Sequence, residues 1–131
     1  MLNSEPLFMS NDSIMSNIRI YHNPRCSKSR ETLALLQEQG IEPEVVEYLK
    51  DTPNADELAE LLQKLGIQAR QLMRTKETIY KELGLDNTEL SEADLIEAMV
   101  NTPKLIERPI VVAGNQARIG RPPHLVLEIV K

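Results

Sequence analysis

An α/β fold with a mixed four-stranded sheet, in the order β-α-β, helical insert, β-β-α, is predicted by three features of the 131-residue chain. First, a short β-branched and aromatic run at residues 18–21 leads through Asn23-Pro24 and the only cysteine, Cys26, into a helical pattern, and a second apolar run follows at residues 45–49. A strand, a helix and a strand in that order make a βαβ unit, whose strands lie parallel with a right-handed crossover. Second, helical patterns striped with leucine occupy about residues 53–103. Third, the chain closes with two apolar runs around Gly114-Asn115 and a short helical stretch.

Each element has a local reason. Residues 27–39 read as a helix with Leu33, Ala34 and Leu36 inward and Gly40 as the stop. Val45-Val46-Glu47-Tyr48-Leu49 is the second strand. Asn54, with Glu57 three residues on, makes a capping-box-like start, and Leu58, Leu61, Leu62 and Leu65 mark the core face of a helix ending at Gly66. Residues 68–73 and 77–83 are shorter helical pieces before Gly84. Ser91 opens a further helix with Leu95, Ile96 and Met99 inward, and Pro103 closes it. Residues 109–113 and 116–119 form a hairpin, its turn type left open by the Gly-Asn order. Residues 124–130 form a final helix behind Pro122-Pro123, with Leu125, Val126 and Ile129 apolar. This is the element order of the thioredoxin-like fold, with a helical subdomain inserted before the third strand. In that fold a proline, usually cis, opens the third strand opposite the redox cysteine, and Pro109 is the candidate.

A chain of this length can bury a core without staples, and one domain is expected over residues 17–131. Residues 1–16 carry no periodic pattern and lack the basic and apolar regions of a secretory signal, so they read as a disordered N-terminal extension in which Met9 and Met15 are candidate alternative starts. No stretch approaches the ~18 apolar residues of a membrane span, so a cytoplasmic protein without a membrane partner is expected. The formal charge of −5 argues against nucleic acid as a partner. One cysteine allows no internal disulfide, and no Cys/His cluster offers a metal site.

Cys26 falls where a strand turns into a helix. There the first N–H groups lack helical partners and the macrodipole is positive, so a thiolate or a bound oxyanion is favoured. His22, Arg25, Lys28 and Arg30 add local positive charge, and such surroundings bring a thiol from near ~8.5 into the range of roughly 3.5–7.5. Arg74, Arg108, Arg118 and Arg121 lie in stretches that return toward the Cys26 end of the sheet. Guanidinium forks fit tetrahedral oxyanions, so two or three of them converging on a thiolate would make a phosphate- or arsenate-like site.

Five separated motifs carry a resemblance: His22-Asn23-Pro24-x-Cys26-Ser27-x-Ser29-Arg30, Leu72-Met73-Arg74, Glu82-Leu83-Gly84-Leu85, Arg108-Pro109-Ile110-Val111-Val112 and Arg118-x-x-Arg121-Pro122. In this order they resemble the glutaredoxin-coupled arsenate reductases, the ArsC family, in its short chromosomal form, over about residues 18–130. The resemblance implies that Cys26 is the nucleophile and that His22 helps keep it ionised. It further implies that Arg74, Arg108 and Arg121 bind the oxyanion, whereas Arg118 is a surface charge of the hairpin. The implied reaction reduces arsenate to arsenite through a Cys26 adduct. Glutathione is its co-substrate, glutaredoxin its protein partner, and no bound cofactor takes part. Ser27-Lys28 departs from the smaller, uncharged pair of some family members.

Three other classes share parts of this pattern. A low-molecular-weight phosphatase, or a thioredoxin-coupled reductase, needs Cys-x5-Arg, and Thr32 stands at the required position. An Spx-like regulator of the same fold typically carries Cys-x-x-Cys, where this chain has Ser29. A glutathione-linked thiol-transfer protein without arsenate activity would use the same thiol and arginines.

Overall fold

The computed structural model describes residues 18–130, and the extension expected over residues 1–16 lies outside them. The chain forms two compact units: a sheet unit from residues 18–46 and 108–130, and a helical unit, Glu47–Glu107.

In the sheet unit β1 (Ile18–Tyr21) is followed by α1 (Ser27–Glu38) and β2 (Glu44–Val46), and later by β3 (Ile110–Ala113), β4 (Gln116–Ile119) and a 3₁₀ helix, Pro123–Glu128. The strand order is β2-β1-β3-β4. β1 runs parallel to β2 and antiparallel to β3, and β3 runs antiparallel to β4, which gives the mixed thioredoxin-like sheet. The two-residue side-chain period turns Ile18 and Ile20 of β1 to one face, where they join Val111, Leu36 of α1, Ile41 and Val126 in a buried cluster covered by Leu33 and Ile129. Each such side chain contributes roughly 1.5–3 kcal/mol by leaving water. The face that seats α1 is therefore the anchor for the turn that precedes it.

Three local expectations are corrected. β2 is shorter than residues 45–49, because the Glu47 carbonyl accepts the N–H groups of Lys50 at 2.9 Å and Asp51 at 2.8 Å and curls the chain out of the ladder. Ala34 of α1 is exposed, and Ser29 and Thr32 are fully buried in the positions an all-apolar reading would give to hydrophobes. The last helix is of the 3₁₀ type and ends at Glu128. It starts on two successive prolines, which lack N–H donors, and it is too short for α-helical bonding to accumulate. In the hairpin Gly114 has φ 63° and Asn115 does not have positive φ. A type I′ turn needs both central residues positive, so the signs fit type II′, with glycine first.

In the helical unit α2 (Ala55–Leu65) starts on Asn54, whose Oδ1 accepts the Glu57 N–H at 2.8 Å, and stops at Gly66 with φ 70°. α3 (Ala69–Leu72) and α4 (Thr78–Glu82) are too short to hold by themselves. The Arg70 guanidinium ties them to the following loop by donating to the Tyr80 hydroxyl, to the Leu85 carbonyl at 2.7 Å and to the Asn87 carbonyl at 3.0 Å. α5 (Glu92–Asn101) opens with a reciprocal capping box between Ser91 and Asp94, and its Glu92 carboxylate accepts the Ala69 N–H at 3.0 Å. Among the described residues no helix is long and apolar enough to cross a membrane.

Candidate active site

Cys26 is the N-cap of α1, with extended backbone angles of φ −95° and ψ 125°. At an N-cap the side chain sits in front of the N–H groups of the second and third helical residues, which here are Lys28 and Ser29. No side-chain cap hydrogen bond is formed in the usual sense, and no acidic residue stands in the first turn to compete for the positive helix end. The thiol is buried. Burial alone pushes its pKa up, but the Ser29 N–H, the Arg108 guanidinium and the Lys28 N–H outweigh it, and the net result lies below the ordinary thiol value.

The loop before Cys26 is closed by its own polar groups. The Asn23 carbonyl accepts the Cys26 N–H at 3.0 Å, and Asn23 Oδ1 accepts the Arg25 N–H at 3.0 Å, the bond pattern of an Asx turn. Arg30, one turn into α1, donates to the Pro24 carbonyl at 3.0 Å and binds the loop to the helix. Ser29 reaches back in the same sense. Its Oγ accepts the Asn23 N–H at 3.0 Å and lies 2.6 Å from His22 Nδ1, with both side chains buried. His22 thus meets the cysteine turn through Ser29, a residue whose only evident roles in the sequence are a place in the motif and the absence of a second cysteine.

The arginines divide. Arg121 donates through one terminal nitrogen to Cys26 Sγ at 3.6 Å, while its Nε donates to the Arg108 carbonyl at 2.7 Å. Arg108 is half-buried and acts on the sulfur by hydrogen bond and by charge. The sheet unit therefore brings Cys26, Arg108 and Arg121 together. Arg118, three residues from Arg121, is engaged elsewhere: its Nε donates to Glu128 at 3.0 Å and another nitrogen donates to the Ala117 carbonyl. Arg74 belongs to the helical unit, where it pairs with Glu77 at 2.9 Å and lies 3.8 Å from Glu107.

The two arginines beside the sulfur, Arg108 and Arg121, each precede a proline through a cis bond, Arg108–Pro109 and Arg121–Pro122. Between the two segments Gly120 donates its N–H to the Pro109 carbonyl at 2.9 Å. A Cβ at Gly120 would stand 2.6 Å from Thr32 Oγ1 and 2.9 Å from Pro109 Cγ. Glycine here permits three chain segments, from α1, the start of β3 and the end of β4, to close on one another. A lone glycine before Arg-Pro carries no sequence signal for that role. Among the described residues no group of three or more His, Cys, Asp and Glu side chains is placed to hold a metal ion.

What this arrangement can do is hold an anionic sulfur beside two guanidinium groups, the side-chain type whose fork fits the oxygens of a tetrahedral anion. Comparison with known proteins gives the family. Residues 21–129 match the ArsC family. An uncharacterised protein of Escherichia coli (strain K12), YfgD, is 64% identical over 114 residues, spanning 86% of this chain and 96% of that protein. A protein of Haemophilus influenzae named arsenate reductase is 54% identical, over 86% of this chain and 98% of its own length. The solved structure of an arsenate reductase from Vibrio cholerae superposes with a TM-score of 0.84 at 58% identity, covering 86% of this chain and 96% of that one. With the cysteine turn, the two Arg-Pro segments and strands β2, β3 and β4 inside the matched region, the chain belongs to the ArsC family.

Proposed function

We propose that this protein is an arsenate reductase of the glutathione- and glutaredoxin-dependent type. The observation that carries the reading is the Arg121 contact to Cys26 Sγ at 3.6 Å, beside Arg108, in a chain whose relatives bear that name. The Cys26 thiolate attacks arsenic of hydrogen arsenate. One oxygen leaves as water after taking up two protons, and a cysteinyl-arsenate adduct remains. Arg108 and Arg121 neutralise the oxygens during attack. The thiol of glutathione displaces a second oxygen as water. A glutaredoxin thiolate then takes the glutathionyl sulfur as a mixed disulfide, the electron pair of the As–S bond stays on arsenic, and As(V) becomes As(III). Hydrolysis of the remaining Cys26–As bond releases arsenite and restores the thiol. The net change is arsenate plus two thiols to arsenite, a disulfide and water. Cys26 is the only cysteine, so the second and third sulfurs have to come from outside the chain. Such a cycle needs a reducing compartment, for which we assign the cytoplasm.

The test is arsenate-dependent NADPH consumption with glutathione, glutaredoxin and glutathione reductase, run beside Cys26→Ser. Turnover that vanishes in the variant and on omission of glutathione is the expected outcome. Steady turnover with thioredoxin alone would overturn the external-thiol cycle, and no turnover with either system would overturn the assignment.

A further inference from the structure

The buried pair formed by His22 and Ser29 lies outside the steps just described. Ser29 is fully buried at the third position of α1, where its backbone N–H is one of the helix-end donors on the side of the N-cap residue, Cys26. Its hydroxyl points the other way, into the loop, where it accepts the Asn23 N–H at 3.0 Å and meets His22 Nδ1 at 2.6 Å. One residue therefore joins the strand end, the loop and the first helical turn. A buried serine this far from water needs both bonds, since an unmatched hydroxyl or ring nitrogen costs about 1–3 kcal/mol.

We propose that Ser29 is a positioning residue for the nucleophile: His22 holds its hydroxyl, and this contact keeps the first turn of α1 set so that the helix-end N–H groups stay turned toward Cys26. His22 then supports the thiolate through the position of a neutral dipole and not through a charge of its own. A charge on the ring is not required for that bond. The Asn23 N–H occupies one lone pair of the hydroxyl, and the other lone pair and the proton remain to satisfy Nδ1 in either tautomer. The remaining groups that face the sulfur are the Lys28 N–H from α1, Arg108 from the segment before β3 and Arg121 from the segment after β4.

The experiment follows the pH dependence of Cys26 alkylation by iodoacetamide on the full chain. It needs no arsenate, so the inference can fail while the arsenate reading stands, and the reverse. Asn in place of His22 puts an uncharged amide where Nδ1 stands, whereas Gln reaches toward Nε2. His22→Asn is expected to keep the wild-type midpoint. His22→Ala, His22→Gln and Ser29→Ala are each expected to raise it by about half to one pH unit. The double variant His22→Ala with Ser29→Ala should shift it no further than either alone, as expected for two groups acting along one chain of contacts. A midpoint raised equally by His22→Asn and His22→Ala would overturn the proposal in favour of the imidazole charge. So would additive single effects, or a Ser29→Ala midpoint equal to wild type. If Ser29→Ala does not fold, the comparison of the three His22 variants decides alone.

Discussion

Arg121 and Arg118 lie three residues apart on the same hairpin, yet their partners differ completely: Arg121 bridges the Arg108 carbonyl and the Cys26 sulfur, and Arg118 is taken by Glu128. A charge-assisted hydrogen bond is worth roughly 1.5–3 kcal/mol. Arg121 is exposed, so screening puts it at the low end of that range. Arg121→Ala should therefore weaken sulfate or arsenate binding about tenfold, and half-buried Arg108→Ala should weaken it more. Arg118→Ala should change it less than about twofold, the ordinary result for an exposed ion pair. Isothermal titration with either anion reads all three, and equal losses at positions 118 and 121 would refute the division. At this scale the sequence shows the thiol and the list of arginines, because a cysteine between a turn dipeptide and a helix start is a local pattern. It does not show that His22 works against Ser29. That pairing depends on the loop folding back over the helix, and a serine three residues after the cysteine reads equally well as an ordinary first-turn residue.

The elements were legible where one period or one cap controls them. The leucines of α2 with Asn54 and Gly66, the Ser91 start of α5, and the β3–β4 hairpin all follow local rules. β2 and the terminal 3₁₀ helix depart from expectation because turn hydrogen bonds at Glu47 and two adjacent prolines outcompete the apolar pattern. The meeting of α1 with the starts and ends of β3 and β4 at Gly120 was invisible, since nothing in one chain segment records how closely two others approach. Gly120→Ala would put a methyl group against Thr32 and Pro109 at distances side chains do not tolerate. It should destabilise the fold by about 1–3 kcal/mol, and this would appear as a lowered urea midpoint at unchanged slope. A midpoint within error of wild type would mean that α1 slides aside without loss. In that case the thiol should become measurably less reactive, because the helix carries it.

Over the whole molecule the net charge is −5, yet Arg25, Lys28, Arg30, Arg108 and Arg121 all belong to the cysteine turn, to α1 or to the segments beside β3 and β4. A distant anion responds to the overall charge, and a close one responds to the local cations, since potentials decay over a Debye length of about 8–10 Å at physiological salt. The ratio of Cys26 alkylation rates with iodoacetate and with neutral iodoacetamide separates the two. It should fall several-fold between roughly 0.01 M and 0.5 M salt, because screening removes the local attraction. A ratio that rises with salt would show that the acidic remainder of the protein governs approach. Composition alone could not settle this point, because a sum of charges has no location.

Sulfur occupies the N-cap of α1, and that placement sets activity against durability. Serine is among the best residues at this position, and a residue without a capping acceptor gives up about 0.5–2 kcal/mol. Cys26 makes no side-chain cap bond, and below its pKa the protonated thiol is a poor acceptor. Cys26→Ser abolishes the nucleophile and also supplies the missing oxygen, so the inert variant should outlast the active one, melting about 3–5 °C higher at a pH where alkylation shows the thiol of the active protein to be protonated. Thermal unfolding of the two proteins side by side checks this, and an equal or lower melting temperature for the serine variant would mean that the thiol already caps the helix as well as a hydroxyl does. Helix stability alone would favour the oxygen at this position, and only the chemistry of the nucleophile favours sulfur.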